Sequence, residues 1–176
     1  MSLSAANVRV GVSGEIFSAP LATTMPTDTS TALNAAFKGH GYVSEDGLVE
    51  KPEVGTKDIK AWQGAATVRT VTTDVKWGYE FTLIETKKEN VELFYGTTIT
   101  QTVNHGTYTI PRGGTSGRKA WVIEIIDGVN IKRILVSDGE VFKAGETNYV
   151  SEDAVGYPCQ LVCYVDPVVY DSALKS

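Results

Sequence analysis

Two histidines, His40 and His105, are the side chains in this sequence best suited to acid–base chemistry or metal binding. His40 lies in a GHG tripeptide and His105 in an NHG tripeptide, so both adjoin glycine in predicted turns. Neither belongs to an HExxH or GxSxG motif or to a Cys/His cluster. The sequence therefore predicts two surface histidines without a catalytic or metal-binding role.

Other segments resemble functional motifs only superficially. Residues 111–119, PRGGTSGRK, suggest a phosphate loop, but the GxxxxGK[ST] spacing is absent and a strand follows instead of a helix. We interpret this segment as a flexible basic hairpin tip. The acidic pairs Glu45-Asp46 and Glu152-Asp153 lack calcium-loop spacing and are typical of solvated turns. No cofactor, metal or catalytic site is predicted, and the enzyme class is disfavoured.

Cys159 and Cys163 lie four residues apart in a predicted strand. At roughly 3.3 Å per residue their Cα atoms would be about 13 Å apart, which is beyond disulfide distance. Both are predicted to be small core residues on one face of that strand.

The strongest structural pattern runs from Ala65 to Gly96. Apolar residues occupy the odd positions of Val71–Leu83 and polar residues the even ones, which predicts a long strand with two different faces. Val75, Trp77, Tyr79, Phe81 and Leu83 are expected to face the core. The capping-box spacing at Thr86 predicts a helix over 86–95 that ends at Gly96, with Val91, Phe94 and Tyr95 as its packing residues.

The remaining elements are predicted to be short strands with one weak helix. Val8–Phe17 is a strand, and Thr31–Lys38 is a short helix that buries Leu33, Ala36 and Phe37. Residues 39–60 are interpreted as a long loop or projecting hairpin. Later strands are expected at 103–110, 120–126, 130–136, 140–143, 149–156 and 160–166, with turns at the Asp-Gly pairs 127–128 and 138–139.

Together these elements predict a mainly β fold: an antiparallel β-sandwich or barrel with one flanking α-helix and a long projecting loop. The whole chain, 1–176, forms a single domain. Its parts are an N-terminal strand and extended segment (1–38), the projecting loop (39–60), the long strand plus helix (65–96) and a β-meander (103–166).

The charge distribution excludes tight nucleic-acid binding. Residues 1–136 contain 14 acidic and 14 basic side chains, whereas residues 137–176 contain seven acids and two lysines, which accounts for the net charge of −5. Phosphate affinity requires clustered Lys and Arg. The segment starting at Met1 lacks the pattern of a signal peptide and no apolar run spans a membrane, so we expect a chain that is made and folded in a cytoplasm.

Three segments resemble the major tail protein, or tail tube protein, of long-tailed, non-contractile bacteriophages, especially phages of actinobacterial hosts. They are GYVSEDGLVEK (41–51), DIKAWQGAATVRTV (58–71) and WGYEFTLIETKKENVELFYG (77–96). The opening VRVGVSGEIFSAPLATTMPTD (8–28) is similar to the start of that family as well. The resemblance covers about the first hundred residues.

The resemblance implies a structural virion protein with no catalytic residues. Six copies would form a ring whose sheets join into a continuous inner barrel, and the rings would stack around a tape-measure protein. Its partners would be itself, the tape-measure protein, the tail terminator and the baseplate or distal tail proteins. DNA would pass through the lumen without specific binding, and the tail would be assembled in the host cytoplasm, without a membrane.

The resemblance also suggests which residues meet other subunits. The polar face of the long strand is predicted to face the lumen or a subunit interface; it comprises Thr72, Asp74, Lys76, Glu80 and Thr82. The projecting loop is predicted to reach a neighbouring ring through Glu45, Asp46, Lys51, Glu53, Lys57 and Asp58. Acids of residues 137–176 would repel DNA phosphates if they faced the lumen. Two other classes stay open: a monomeric β-sandwich binding or decoration module of a phage particle, and a hydrolase.

Overall fold

The computed structural model describes residue 4 and residues 7–174, in which ten β-strands and one α-helix are present. The strands are β1 (Ser13–Pro20), β2 (Lys38–Gly39), β3 (Val43–Lys60), β4 (Thr67–Leu83), β5 (Thr100–Gln101), β6 (Gly106–Thr107), β7 (Arg118–Asp127), β8 (Asn130–Lys143), β9 (Tyr157–Cys163) and β10 (Val168–Asp171). The helix α1 spans Lys88–Tyr95, and a 3₁₀ turn at Ser172–Leu174 follows β10.

One antiparallel sheet contains eight of the strands. Seven of them lie in the order β2-β1-β7-β8-β9-β4-β3, and the eighth, β10, pairs with β8. Strand β10 continues the line of β9 along the same edge of β8. Ile16 of β1 and Phe81 of β4 pack in one core cluster although three strands separate β1 from β4. A flat sheet would hold these strands about 19 Å apart, so the sheet must curve over into the two layers of a sandwich. The predicted fold class is confirmed.

Both faces of the central strands are buried. Trp121 and Ile123 of β7 point into the main core between the layers, which also takes in Val91, Leu93 and Phe94 of α1. Ala120 and Val122 point to the opposite face, where a second cluster forms under residues 21–37. The central strands therefore read as continuous apolar runs rather than as alternating patterns.

The helix is correctly predicted, but its start differs from the expectation. Lys87 is the N-cap residue and makes no side-chain cap bond. The Thr86 hydroxyl, predicted to cap the helix, is instead 3.1 Å from the Tyr157 hydroxyl, because β9 passes beside it. Of the predicted packing residues, Val91 and Phe94 are buried and Tyr95 is half-buried, while Asn90 and Leu93 add to the buried face.

Gly96 ends the helix as predicted, in the left-handed conformation with φ 63°. A Cβ at this position would lie 2.5 Å from the backbone of Gly114 and Thr115. We expect Gly96→Ala to lower the free energy of unfolding by about 2 kcal/mol or more, because strain and a backbone clash add. Urea unfolding measures this. Gly128→Ala is the control for conformation alone, since Gly128 has φ 60° and open space around it; equal losses in the two variants would contradict the clash.

The segment predicted as helix 31–38 is not helical. Residues 31–37 form bends and a turn, in which the Asn34 side chain accepts a bond from the Ala36 amide at 3.0 Å. Such local side-chain bonds compete with helix formation. The predicted burial of Phe37 is correct, and Leu33 and Ala36 pack beside it.

Several strand boundaries were also wrong. Strand β1 starts at Ser13, so Val8 and Val10 are exposed, and 103–110 contains only the two-residue strand β6. Residues 149–156 form a loop before β9. Burial of an apolar side chain, which these predictions assume, depends on a covering layer that the sequence does not specify.

The predicted turn at Asp138-Gly139 is absent, whereas the turn at 127–128 is confirmed. Strand β8 runs through Asp138-Gly139 at an irregularity in its pairing with β7. A Cβ on Gly139 would lie 2.9 Å from Leu161 Cδ1 and 3.1 Å from Val162 O. The glycine thus permits close contact with β9 instead of reversing the chain.

Candidate assembly surface

A two-stranded arm extends from the body of the fold. Strand β4 pairs with β9 only from Gly78 to Leu83, so its first part has β3 as its sole pairing strand in the described residues. We define the arm as Glu50–Lys76. The eleven β4 residues Thr67–Trp77 correspond to about 33 Å of strand. Every arm residue is exposed except Ala61 and Val71, which are half-buried.

This arm corrects the interpretation of 39–60 as a loop. The segment is mostly strand β3, and the hairpin alternative is the one that the structure shows. Charged residues occupy both faces because both are solvated, and this removes the alternation that identifies a half-buried strand. Pro52 is compatible with the strand because β3 is at the edge of the sheet.

The two faces of the arm differ in polarity. Cross-strand partners share a face, and the pairs Pro52–Trp77 and Val54–Val75 continue the side that faces the core in the body. This apolar face contains Pro52, Val54, Val75 and Trp77, and beyond the register shift at Gly55/Thr56 the same face continues with Thr56, Asp58, Thr70 and Thr72. Val75, predicted to be buried, is 50% exposed because no second layer covers the arm. Tyr79, Phe81 and Leu83 are buried as predicted.

Four of the five predicted lumen or interface residues share the opposite, polar face, whereas the register shift places Thr72, the partner of Thr56, on the other face. Thr72, Asp74 and Lys76 are exposed on the arm, whereas Glu80 and Thr82 are half-buried where β4 lies beside β9. Lys51 forms an ion pair with Glu80 at 2.6 Å, and Lys76 pairs with Asp74 at 3.1 Å. With Glu53, Lys57 and Arg69 this face has three acids and four basic side chains: Glu53, Asp74 and Glu80, and Lys51, Lys57, Lys76 and Arg69.

The residues predicted to contact a neighbouring ring separate into two groups. Lys51, Glu53, Lys57 and Asp58 lie on the arm, while Glu45 and Asp46 lie at its base, in an irregularity between Val43 and Leu48. The tip of the arm, Ala61–Ala66, joins the two strands. Trp62 in the tip is 97% exposed. This tryptophan lies in the family-like segment 58–71, but the sequence alone assigned it no role.

A groove lies beside the base of the arm. It has a volume of about 890 Å³ and runs between residues 11–16 and 41–48, with Glu85 and residues 123–125 completing its walls. Strand β1 pairs with β2 only at Phe17 and Ser18, so its first half has no strand on its outer side among the described residues. Five lining residues are acidic and none is basic: Glu15, Glu45, Asp46, Glu85 and Glu124.

The acids of residues 137–176 do not gather on one strand face. Asp138 pairs with Arg118, and Glu140 accepts a bond from the Tyr164 hydroxyl at 2.9 Å. Glu146, Glu152, Asp153 and Asp166 are exposed on loops, and Asp171 accepts a bond from the Ala173 amide. Which of them face a lumen depends on how copies assemble.

His40, predicted to be a surface residue, is instead buried and 1% exposed. Asn90 donates its amide N–H groups to the carbonyls of His40 and Glu85, so its Oδ1 accepts from His40 Nδ1 at 2.8 Å. The Ser18 hydroxyl is 2.9 Å from His40 Nε2 and donates to it. This Ser-His-Asn group is closed to solvent and connects β1 to α1, so it is a structural network without access for a substrate. His105 is exposed as predicted.

Burial lowers the pKa of His40 from 6.5 to about 4. The unfolded chain therefore takes up the proton first on acidification, and stability present above pH 6.5 is lost as the pH falls towards 4. We expect the free energy of unfolding to fall by about 2 kcal/mol from pH 7 to pH 5 through His40 alone. Urea titrations of the wild type and His40→Asn measure this difference, and parallel pH curves for the two proteins would contradict it.

The described residues include two free cysteines but neither a metal-binding group nor a membrane-spanning helix. No group of three or more metal-binding side chains is found among them, and no helix in this part of the chain is long and apolar enough to cross a membrane. Cys159 and Cys163 are free and buried on one face of β9, as predicted, and burial raises the pKa of both thiols to about 12. Such thiols are unreactive near neutral pH.

Comparison with known sequences supplies a family. The profile of the family described as "Phage tail tube protein" matches residues 1–167. A search of curated proteins found no significant match.

Proposed function

The chain belongs to the phage tail tube protein family, and we propose that six copies form a ring and that these rings stack into the tube of a long-tailed, non-contractile phage. The family gives the chain a structural role in the virion tail. The resemblance of residues 41–51, 58–71 and 77–96 to tail proteins of phages with actinobacterial hosts supports a host of that group. Tail assembly then takes place in the cytoplasm of that host.

The observation that carries this proposal is the uncovered arm. An isolated two-stranded hairpin is marginally stable in water, and this arm also exposes an apolar face. In a ring, that face packs on the next copy, and the free outer edge of β3 pairs with a neighbouring sheet. Closure of the ring uses edges that would otherwise promote uncontrolled aggregation.

The polar face of the arm then lines the lumen. Asp74, Lys76, Glu80 and Thr82 lie on this side of β4, whereas Thr72 lies on the other side, beyond the register shift. The three acids and four basic side chains of the polar face give a charge of +1 per copy, because 4 − 3 = +1. Because acidic and basic side chains nearly balance on this wall, it does not hold DNA phosphates tightly, and DNA passes through without specific binding. The same lumen holds the tape-measure protein before ejection, and the tube ends meet the terminator and distal tail proteins.

Electron microscopy of the purified protein over a range of concentrations tests the proposal. We expect sixfold rings at high concentration and tubes when rings stack. Sedimentation velocity on the same samples should show a step from monomer to hexamer. A protein that stays monomeric at all concentrations and binds assembled phage particles would instead be a decoration module.

A further inference from the structure

The groove at the base of the arm and the outer part of the arm carry opposite charges. The groove is lined by five acids, of which Glu124 pairs with Arg133 and Glu85 with Lys87. Glu15, Glu45 and Asp46 form no ion pair in the described part of the chain. The outer half of the arm has the opposite charge, with Lys57, Lys60 and Arg69 against Asp58.

The groove also offers a place for an apolar anchor and a strand. Its apolar floor consists of the half-buried side chains Val43, Leu48 and Ile125, and its wall includes the open outer side of β1. The Ser44 hydroxyl in this lining is buried and has no hydrogen-bond partner among the described residues. Buried polar groups without partners are rare in native proteins, and a second chain can satisfy them. Trp62, 97% exposed at the tip, is the type of residue that dominates binding in such pockets.

A chain cannot place its own tip in its own groove. The groove takes in the start of β3 at residues 43–48, whereas the tip follows the end of β3 at Lys60. Twelve strand residues separate Leu48 from Lys60, which corresponds to about 40 Å. The occupant of the groove must therefore come from another molecule that carries the same tip.

We infer that the groove receives the arm tip of a second copy, with Trp62 on the apolar floor and Lys57, Lys60 and Arg69 beside Glu15, Glu45 and Asp46. This contact rests on the proposed function and names the surface that joins the subunits. It is head-to-tail, so each copy gives one tip and accepts one, and repetition produces a closed ring or a stack. A single tip-in-groove contact is small and therefore weak. In a closed ring all copies make this contact at the same time, so the contacts together stabilise the assembly far more than one contact would.

Charge reversal tests the contact. The groove variant is Glu45→Lys/Asp46→Lys and the tip variant is Lys57→Glu/Lys60→Glu; all four positions are exposed. We expect each variant alone to need at least about tenfold more protein to assemble, and the four-substitution variant to return within about twofold of the wild type. A 1:1 mixture of the two variants should also assemble, since each tip then finds a groove of opposite charge. Glu152→Lys/Asp153→Lys, with the charge change of the groove variant, is the control and should assemble normally.

Crosslinking separates this inference from the proposed function. Asp46→Cys with Gln63→Cys should give disulfide-linked multimers under oxidation, because the native thiols are buried. Multimers without sixfold rings would support the contact and overturn the hexameric tube. Rings without crosslinks, unaffected by either charge reversal, would overturn the contact and leave the tube. Absence of both rings and crosslinks at every concentration would overturn both.

Discussion

Replacing residues 55–74 with the dipeptide Asn-Gly is expected to abolish ring and tube formation while the body of the protein stays folded. Val54 and Val75 are cross-strand partners, so an Asn-Gly turn can close the shortened hairpin between them. The removed part makes no strand pairing with the body, and its loss should change the melting temperature by only a few degrees. Assembly should fail because the removed part contains the tip, the basic side chains Lys57, Lys60 and Arg69, and most of the free edge of β3.

Sedimentation velocity and electron microscopy measure the outcome, with thermal unfolding as the folding check. The matched control is Val103→Ser/Val129→Ser, which removes two fully or almost fully exposed valines outside the arm, 103% and 93% exposed. This variant should assemble like the wild type. If the arm-shortened protein still formed rings, the arm would be dispensable and the ring would have to close through the body alone.

Arg133→Met is expected to cause the largest loss of stability of any single polar substitution discussed here, about 3–5 kcal/mol in the free energy of unfolding. Arg133 is 6% exposed, and its guanidinium donates to Glu124 Oε1 at 2.5 and 2.8 Å. It also donates to the carbonyls of Asp28 and Thr31 at 2.7 and 2.8 Å. The substitution leaves a carboxylate and two carbonyls without their donor and releases the segment that covers the second core cluster.

Urea unfolding measures this loss, and two further variants define its cause. Glu124→Gln combined with Arg133→Met should recover part of the stability, since no unpaired charge then stays at the site. Arg118→Met is the control on the same strand pair: its partner is Asp138 and its side chain is 51% exposed, so we expect a loss below about 1 kcal/mol. Equal losses for Arg118→Met and Arg133→Met would show that the buried hydrogen bonds of Arg133 stabilise the fold no more than the exposed Arg118–Asp138 pair does.

The sequence predicted well where one local rule decides the structure. The strand over Val71–Leu83, the Gly96 helix end, the 127–128 turn and the inert cysteines all depend on periodicity or on one residue type. Predictions failed where a distant element competes. Thr86 faces Tyr157 instead of capping its helix, and Gly139 allows contact with β9 instead of forming a turn.

The candidate assembly surface was only partly predictable for the same reason. The polar face of β4, apart from Thr72, could be read from alternation, and 39–60 could be recognised as an unusual projecting segment. The groove could not be predicted, because it brings together residues 11–16, 41–48 and 123–125, which are distant in sequence. Nor could the burial of His40, which depends on Asn90 and Ser18 reaching it from two other elements.

The sequence alone determined a mainly β domain with one helix, no recognisable catalytic motif and a strand with two different faces. These properties follow from residue types and their spacing, which act locally along the chain. The tertiary structure decided that Val75 and Trp62 are exposed while His40 is buried, because burial depends on which layers meet. It also decided that residues 43–60 form strand β3, with residues 50–60 as half of the solvated arm, because pairing with β4 satisfies the backbone of β3 where no hydrophobic pattern identifies a strand.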